Sequence, residues 1–168
     1  TDDDKNNVFN NRKKLSQELN LPNEPFWLKQ EHSNIALSIK KTTTQNEIIG
    51  DEAFTTDTNT VCVVLTADCI PILICDQSGS IIAAIHAGWK GIASGIISST
   101  VNAMNSNTSK LIAWLGPAIG PSSFIVNNDV YDIFYKQTAE TNIAFTKNDN
   151  NFFANIYLLA SLYLNNIG

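Results

Sequence analysis

Cysteine and histidine are the residue types through which this chain could do chemistry, and they are few: three cysteines and two histidines in 168 residues. Cys69 lies in Thr66-Ala67-Asp68-Cys69-Ile70-Pro71, and His86 opens His86-Ala87-Gly88-Trp89-Lys90-Gly91. His32 stands upstream, just before the run Ile35 to Ile39. If the three side chains converge, they form a His₂Cys set with a fourth position open, which is how catalytic zinc is usually held. Such an ion lowers the pKa of its water toward ~7 and makes hydroxide available at neutral pH. Taken singly, each residue is more often a satisfied core histidine or a small buried thiol. Position raises the joint case, because Cys69 and His86 each lie just past an apolar run, where open α/β sheets place their ligands.

The neighbours of these residues extend the site. Asp68 is either a turn residue that bonds its own backbone or a group that orients a ligand histidine or moves a proton. Gly88 to Gly91 reads as a strand exit that turns on glycine into a helix, leaving N–H groups as an anion cradle to which Lys90 adds positive charge. Trp89 is either core or a stacking face for a flat ring. Glu31 reads as a surface charge, and Cys62 and Cys75 as inert filling within strands.

Regular elements must hold these residues in place. Val61 to Leu65 and Ile81 to Ile85 are apolar runs suited to strands buried on both faces. Ile92 to Met104 has the apolar spacing of one helix. Residues 1 to 20 predict a helix with Val8, Leu15 and Leu19 on one side and aspartates at its start, where the dipole favours them. Ile35 to Ile39 alternates as a strand, Lys40 to Ile49 has the composition of a mobile loop, and Lys110 to Leu115 reads as a short buried strand. Gly116-Pro117-Ala118-Ile119-Gly120-Pro121 is a stiff loop whose glycines admit a close approach, or a tight connector. Asn127 to Tyr135 and Phe152 to Leu164 predict two further helices.

Composition excludes several classes. The chain fits one domain, residues 1–168, large enough to bury roughly 70% of its unfolded surface. A net charge of −5 with a pI near 4.8 argues against nucleic acid, which is held chiefly by Lys and Arg clusters. No apolar run approaches the ~20 residues of a membrane span, and Thr1 to Asn7 lacks the order of a signal peptide, so the expected location is cytoplasmic. Three clustered cysteines do not resemble a disulfide framework and read as reduced thiols.

Together Thr66 to Leu73, His86 to Gly91 and Trp114-Leu115-Gly116-Pro117-Ala118-Ile119-Gly120-Pro121 resemble the motifs of the YfiH-like family, long labelled polyphenol oxidase or laccase domain. The resemblance runs from about Asp2 to the end of the chain. Ser33 stands where the family has glycine after the histidine, and Phe124-Ile125-Val126 where it has Phe-Glu-Val. The family's amino-terminal Arg-Gly-Gly and its carboxy-terminal Cys-Thr and Phe-Phe-Ser-Tyr-Arg-Arg segments have no match, so the resemblance implies a YfiH-like domain without them. It further implies an α+β (mixed α/β) fold, a layered α/β/β/α sandwich with mixed sheets, and His32, Cys69 and His86 as zinc ligands. His32 falls in the family's Gln-x-His pattern through Gln30. The implied substrates are purine nucleosides and phosphate, with phosphorolysis of adenosine, inosine, guanosine and methylthioadenosine and deamination of adenosine.

Other chemistries use the same residues. Cys69 could be a thiolate nucleophile with His86 as its base, since the implied fold also resembles the catalytic domain of cytotoxic necrotizing factor deamidases. Copper in place of zinc would suit a polyphenol oxidase, because Cu²⁺ generally binds such ligands more tightly. A non-enzymatic metal-binding or partner-binding relic is the remaining class.

Overall fold

The computed structural model of the chain describes residues 3–44 and 48–168. In chain order the elements are α1 (Lys5–Glu18), β1 (Ala36–Ser38), β2 (Glu52–Thr55), β3 (Ile70–Asp76), β4 (Ile82–Ala87), α2 (Trp89–Ala93) and α3 (Ile96–Met104). There follow β5 (Leu111–Leu115), β6 (Ile125–Val126), α4 (Asn128–Gln137), β7 (Phe145–Asn148), β8 (Asn151–Ala154) and α5 (Ile156–Ile167). A five-stranded sheet has the order β1-β2-β4-β3-β5, with β1 and β2 parallel and the other pairs antiparallel. A three-stranded antiparallel sheet has the order β6-β8-β7. The chain is thus of the mixed α/β class, with strands of both directions in its main sheet.

A period of two decides β3. Ile70, Ile72 and Ile74 of β3 are at most 2% exposed, while Leu73 between them is 44% exposed. The isoleucines join Ile85 and Ala87 of β4 and meet Ile96, Ile97, Val101 and Met104 of α3, with Phe134, Ile156 and Leu159 completing the core. Pro71 fits in the second position of β3 because its side of the strand faces β5 only as that neighbour ends: its carbonyl accepts from the Gly116 N–H just past Leu115. Glu52 lies directly across from Ile85 and so on the core-facing side of β2.

Several elements differ from the sequence-based expectation. Val61 to Leu65 forms no strand; Cys62 makes one isolated bridge to Phe26, and Leu65 is 57% exposed. An apolar run becomes a strand only beside a partner, and the places next to β4 are taken by β2 and β3. The segment is instead held by Gln30, whose side-chain amide donates to the Leu65 carbonyl at 2.8 Å and accepts from the Leu65 N–H at 2.8 Å. Ile92 to Met104 is two helices, because Gly95 at φ +87° ends α2 and starts α3 in a new direction.

Lys110 to Leu115 is a strand, β5, but an edge one with Ile112 and Trp114 more than half exposed. Phe152 to Ala154 belongs to β8, and α5 begins only at Ile156, after Asn155 has accepted the Leu158 N–H as its cap. Asp4 caps α1 by accepting from the Asn6 and Asn7 N–H groups, yet the helix buries none of its residues, and Arg12 rests 4.1 Å over the Trp27 ring. Of the loop expected over Lys40 to Ile49, residues 45–47 lie outside the described residues. No helix among the described residues is long and apolar enough to cross a membrane.

Candidate metal centre

Antiparallel pairing of β3 and β4 brings Cys69 and His86 together. Pro71 is opposite His86 and Ile70 opposite Ala87, so the residue entering β3 lies beside the residues leaving β4. Cys69 therefore leads into its strand instead of following one; the neighbouring strand ends, and not a parallel crossover, create the juxtaposition. His32 arrives on a loop tethered by Gln30 to Leu65 and by the Lys29 carbonyl to the Gly50 N–H. One ligand atom from each of His32, Cys69 and His86 lies within 4.8 Å of the others, and Cys69 Sγ is 3.7 Å from His32 Nε2.

These residues fit a metal ion. Two imidazoles and a thiol are the donors a borderline ion such as zinc takes, in a three-ligand set that leaves a position for solvent or substrate. Space is kept by Gly88, where a Cβ would fall 2.7 Å from Cys69 Sγ and 3.0 Å from His32 Cδ2. Burial pushes the Cys69 thiol above its ordinary value, and the charges of Asp68 and Asp51 push it further the same way. A cation reverses that balance, since a coordinated thiol is deprotonated. Gly88→Ala is expected to displace Cys69 and weaken zinc binding at least ~10-fold, as outer contacts of metal ligands do when disturbed. Gly120→Ala, where an added Cβ meets nothing within 4 Å, serves as the neutral control in a chelator competition.

Sequence reasoning missed the residue that organises this site. Asp51 is fully buried at the entry to β2, cross-strand from His86, whose N–H donates to the Asp51 carbonyl at 2.7 Å. Its carboxylate Oδ1 lies 2.8 Å from His86 Nδ1 and accepts from the His32 N–H at 2.9 Å. The other oxygen, Oδ2, accepts from the Glu31 N–H, the Ser33 N–H and the Ser33 hydroxyl at 3.1, 2.6 and 2.8 Å. Burial alone would push this carboxyl up, but the bonds from His86, Ser33 and His32 outweigh it and hold the group below its ordinary value. The only available signal was its place before a β-propensity run, shared by many aspartates in turns.

Asp68, the carboxylate expected to orient a histidine, makes no hydrogen bond to either one among the described residues; its carbonyl accepts from the Ile119 N–H at 3.0 Å. That bond anchors the Gly116 to Pro121 loop beneath the Cys69 turn, and Tyr157 Oη holds the same loop 2.7 Å from the Ala118 nitrogen. Glu31 pairs with Lys29 at 2.9 Å on the surface. Cys62 lies in the bridged segment, where burial drives its thiol up to about 12.

A cavity of about 300 Å³ opens beside the cluster, lined by His32, Asp68 and Cys69 on one side, Trp89 and Lys90 on another, and Ile119, Phe124 and Ile156. Lys90 Nζ is 5.7 Å from the Trp89 ring centroid, so cation and ring reach it from one turn of α2. Because α2 has five residues and not thirteen, its axial dipole is that of little more than one turn. A cavity of about 340 Å³ between β5 and α5, walled by Ile74, Val101, Leu111 and Leu164, has no titratable side chain in its lining.

Comparison with known proteins agrees with this architecture. Purine nucleoside phosphorylase YfiH of Escherichia coli is 38% identical over 166 residues, spanning 99% of this chain and 68% of that protein. Purine nucleoside phosphorylase of Haemophilus influenzae is 37% identical over 169 residues, with the same two shares of 99% and 68%. The crystal structure of a Neisseria meningitidis protein, 34% identical, superposes with a TM-score of 0.93 over 99% of this chain and 68% of that one. Residues 1–168 match throughout the family described as multi-copper polyphenol oxidoreductase laccase, and it is to this family that the chain belongs.

Proposed function

We propose that the chain carries the metal centre of a zinc-dependent purine nucleoside phosphorylase that also deaminates adenosine. The observation that carries this reading is the opening of the His32–Cys69–His86 cluster directly into a cavity with an aromatic wall and one cation. At about 300 Å³ the cavity is at the low end for small-molecule sites, roughly 300–1,000 Å³, and suits a flat base better than a bulky ligand. The names of the relatives, purine nucleoside phosphorylases, supply the substrate class.

In this reading each residue has a part. Trp89 and Phe124 are the aromatic residues of the cavity wall against which a purine packs, and Ile119 and Ile156 exclude water from its edge. Lys90 and the amides of Gly88 to Gly91 hold phosphate, the cation neutralising part of its charge. Asp68 is the carboxylate in the cavity wall, and in deamination it takes the proton released by the attacking water and passes it to the departing amine. His32, Cys69 and His86 would hold zinc, which would supply Lewis-acid activation of water or a phosphate oxygen. Adenosine, inosine, guanosine and methylthioadenosine share the purine ring this cavity grips.

Two competing chemistries fit less well. A Cys69 nucleophile needs a lowered thiol pKa, and the surroundings of Cys69 raise it. Multi-copper oxidation needs several copper centres, and both of the chain's histidines are already in this one cluster. The deciding experiment incubates zinc-loaded protein with inosine, with and without inorganic phosphate, and adenosine in parallel. Phosphate-dependent release of hypoxanthine and conversion of adenosine to inosine are expected; failure of the metal-loaded protein to release any base would overturn the reading.

A further inference from the structure

We propose that Asp51 is the positioning residue for both histidines of the cluster, one carboxylate setting the tautomer of His86 and fixing the turn that carries His32. The role rests on the metal reading above but makes claims of its own. His86 is 6% exposed, and its Nδ1 lies 2.8 Å from an oxygen that can only accept while ionised. In the neutral ring the proton therefore resides on Nδ1, which leaves the Nε2 lone pair free for a metal ion. An imidazole that rotated or shifted its proton would lose this bond and present an N–H where a lone pair is needed.

The second half of the role concerns backbone. His32 has φ +58°, a left-handed conformation that is unfavourable for a residue with a Cβ. Three successive N–H groups, from Glu31, His32 and Ser33, converge on the Asp51 carboxylate and offset that cost. With them in place His32 stands 4.7 Å from His86, centroid to centroid, at an interplanar angle of 70°, so the rings approach edge to face and do not stack. One nitrogen of each ring then lies within 4.8 Å of the Cys69 thiol. One buried charge thus couples two ligands that are far apart in sequence.

The test begins with metal-free protein, so that it stands apart from turnover. Nitrogen-15 NMR of the wild-type imidazoles in their neutral form is expected to show His86 protonated on Nδ1 and bare on Nε2; the opposite tautomer overturns the proposal. Asp51→Asn keeps one acceptor oxygen and loses the other, and is expected to give a mixed His86 tautomer and a ~10–100-fold weaker zinc affinity by chelator competition. Ser33→Ala, which removes only the hydroxyl bond, is expected to leave the tautomer unchanged. An Asp51→Asn protein with wild-type tautomer and affinity, even if less stable, means the residue is merely structural and overturns the proposal. If Asp51→Asn does not fold, the wild-type tautomer decides. Should wild-type protein bind no zinc while His86 still carries its proton on Nδ1, the metal reading fails and the positioning of the imidazole stands.

Discussion

Replacing Cys69 with alanine is expected to strip the protein of zinc and to reduce phosphate-dependent release of hypoxanthine from inosine by well over a hundredfold. Cys69 Sγ is 3.7 Å from His32 Nε2, and the thiol is the one soft donor of the set. Its loss leaves two imidazoles, fewer ligands than either structural or catalytic zinc sites employ. Disturbing an outer partner of a metal ligand already costs roughly 10–100-fold, so removal of a ligand should exceed that range. The effect belongs to the site and not the fold, since Cys69 lies outside the apolar core. Elemental analysis and a hypoxanthine assay on the same preparation read both quantities, and a metal-free variant with full turnover would defeat the assignment. His32→Ala separates the remaining alternative: metal chemistry collapses with it, whereas a Cys69–His86 nucleophile pair would survive.

The stability of the protein should fall steeply between pH 4.5 and about 8, and Glu52→Gln should abolish that fall. Glu52 is fully buried on the core side of β2, and no partner among the described residues meets its carboxylate oxygens at full hydrogen-bond geometry. Burial first and the neighbouring Asp51 charge second raise its pKa from 4.5 to about 8, a rise that a weak interaction with Ser99 offsets only in part. Because the pKa is raised, the folded state keeps a proton that the unfolded chain releases above 4.5. The stabilisation is therefore complete below pH 4.5 and is lost as pH climbs to about 8.

At roughly 1.4 kcal/mol per pH unit the loss amounts to about 5 kcal/mol, a large part of a typical domain's 5–15 kcal/mol. Asp51 works in another window: held low, it contributes above 3.8 and is lost only as pH falls further, so the two do not mask one another. Urea midpoints from pH 5 to 9 provide the measurement. A flat wild-type profile, or an identical slope in Glu52→Gln, would rule the explanation out.

Why Glu52 and Asp51 escaped the sequence reading is instructive. Both lie in Gly50-Asp51-Glu52-Ala53, which has the composition of a turn, and an acidic pair in such a stretch normally faces water. They are buried because β2 is covered on one face by α3 and flanked by β1 and β4. Nothing in the local residues reports that the neighbour across the sheet will be His86. The Val61 to Leu65 run failed for a related reason: an apolar stretch of strand length states a need for burial, and the available partners decide whether a ladder meets it. Gly95 and Asn155 broke the expected helices because a left-handed glycine and a capping asparagine act over one or two residues, too locally to disturb the apolar spacing that suggested continuous helices.

The residues by themselves determined what depends on composition and short-range order. These are the strand that carries His86, the glycine turn that follows it, and the scarcity of histidine and cysteine that singled out His32, Cys69 and His86. Tertiary structure alone decided that these three meet, that the meeting occurs where two antiparallel strands begin and end side by side, and that Asp51 rather than Asp68 holds a histidine. The physical reason is one of range. Periodicity and turn chemistry act within a few residues along the chain, whereas a ligand cluster is assembled from strand register and loop tethers between segments separated by tens of residues.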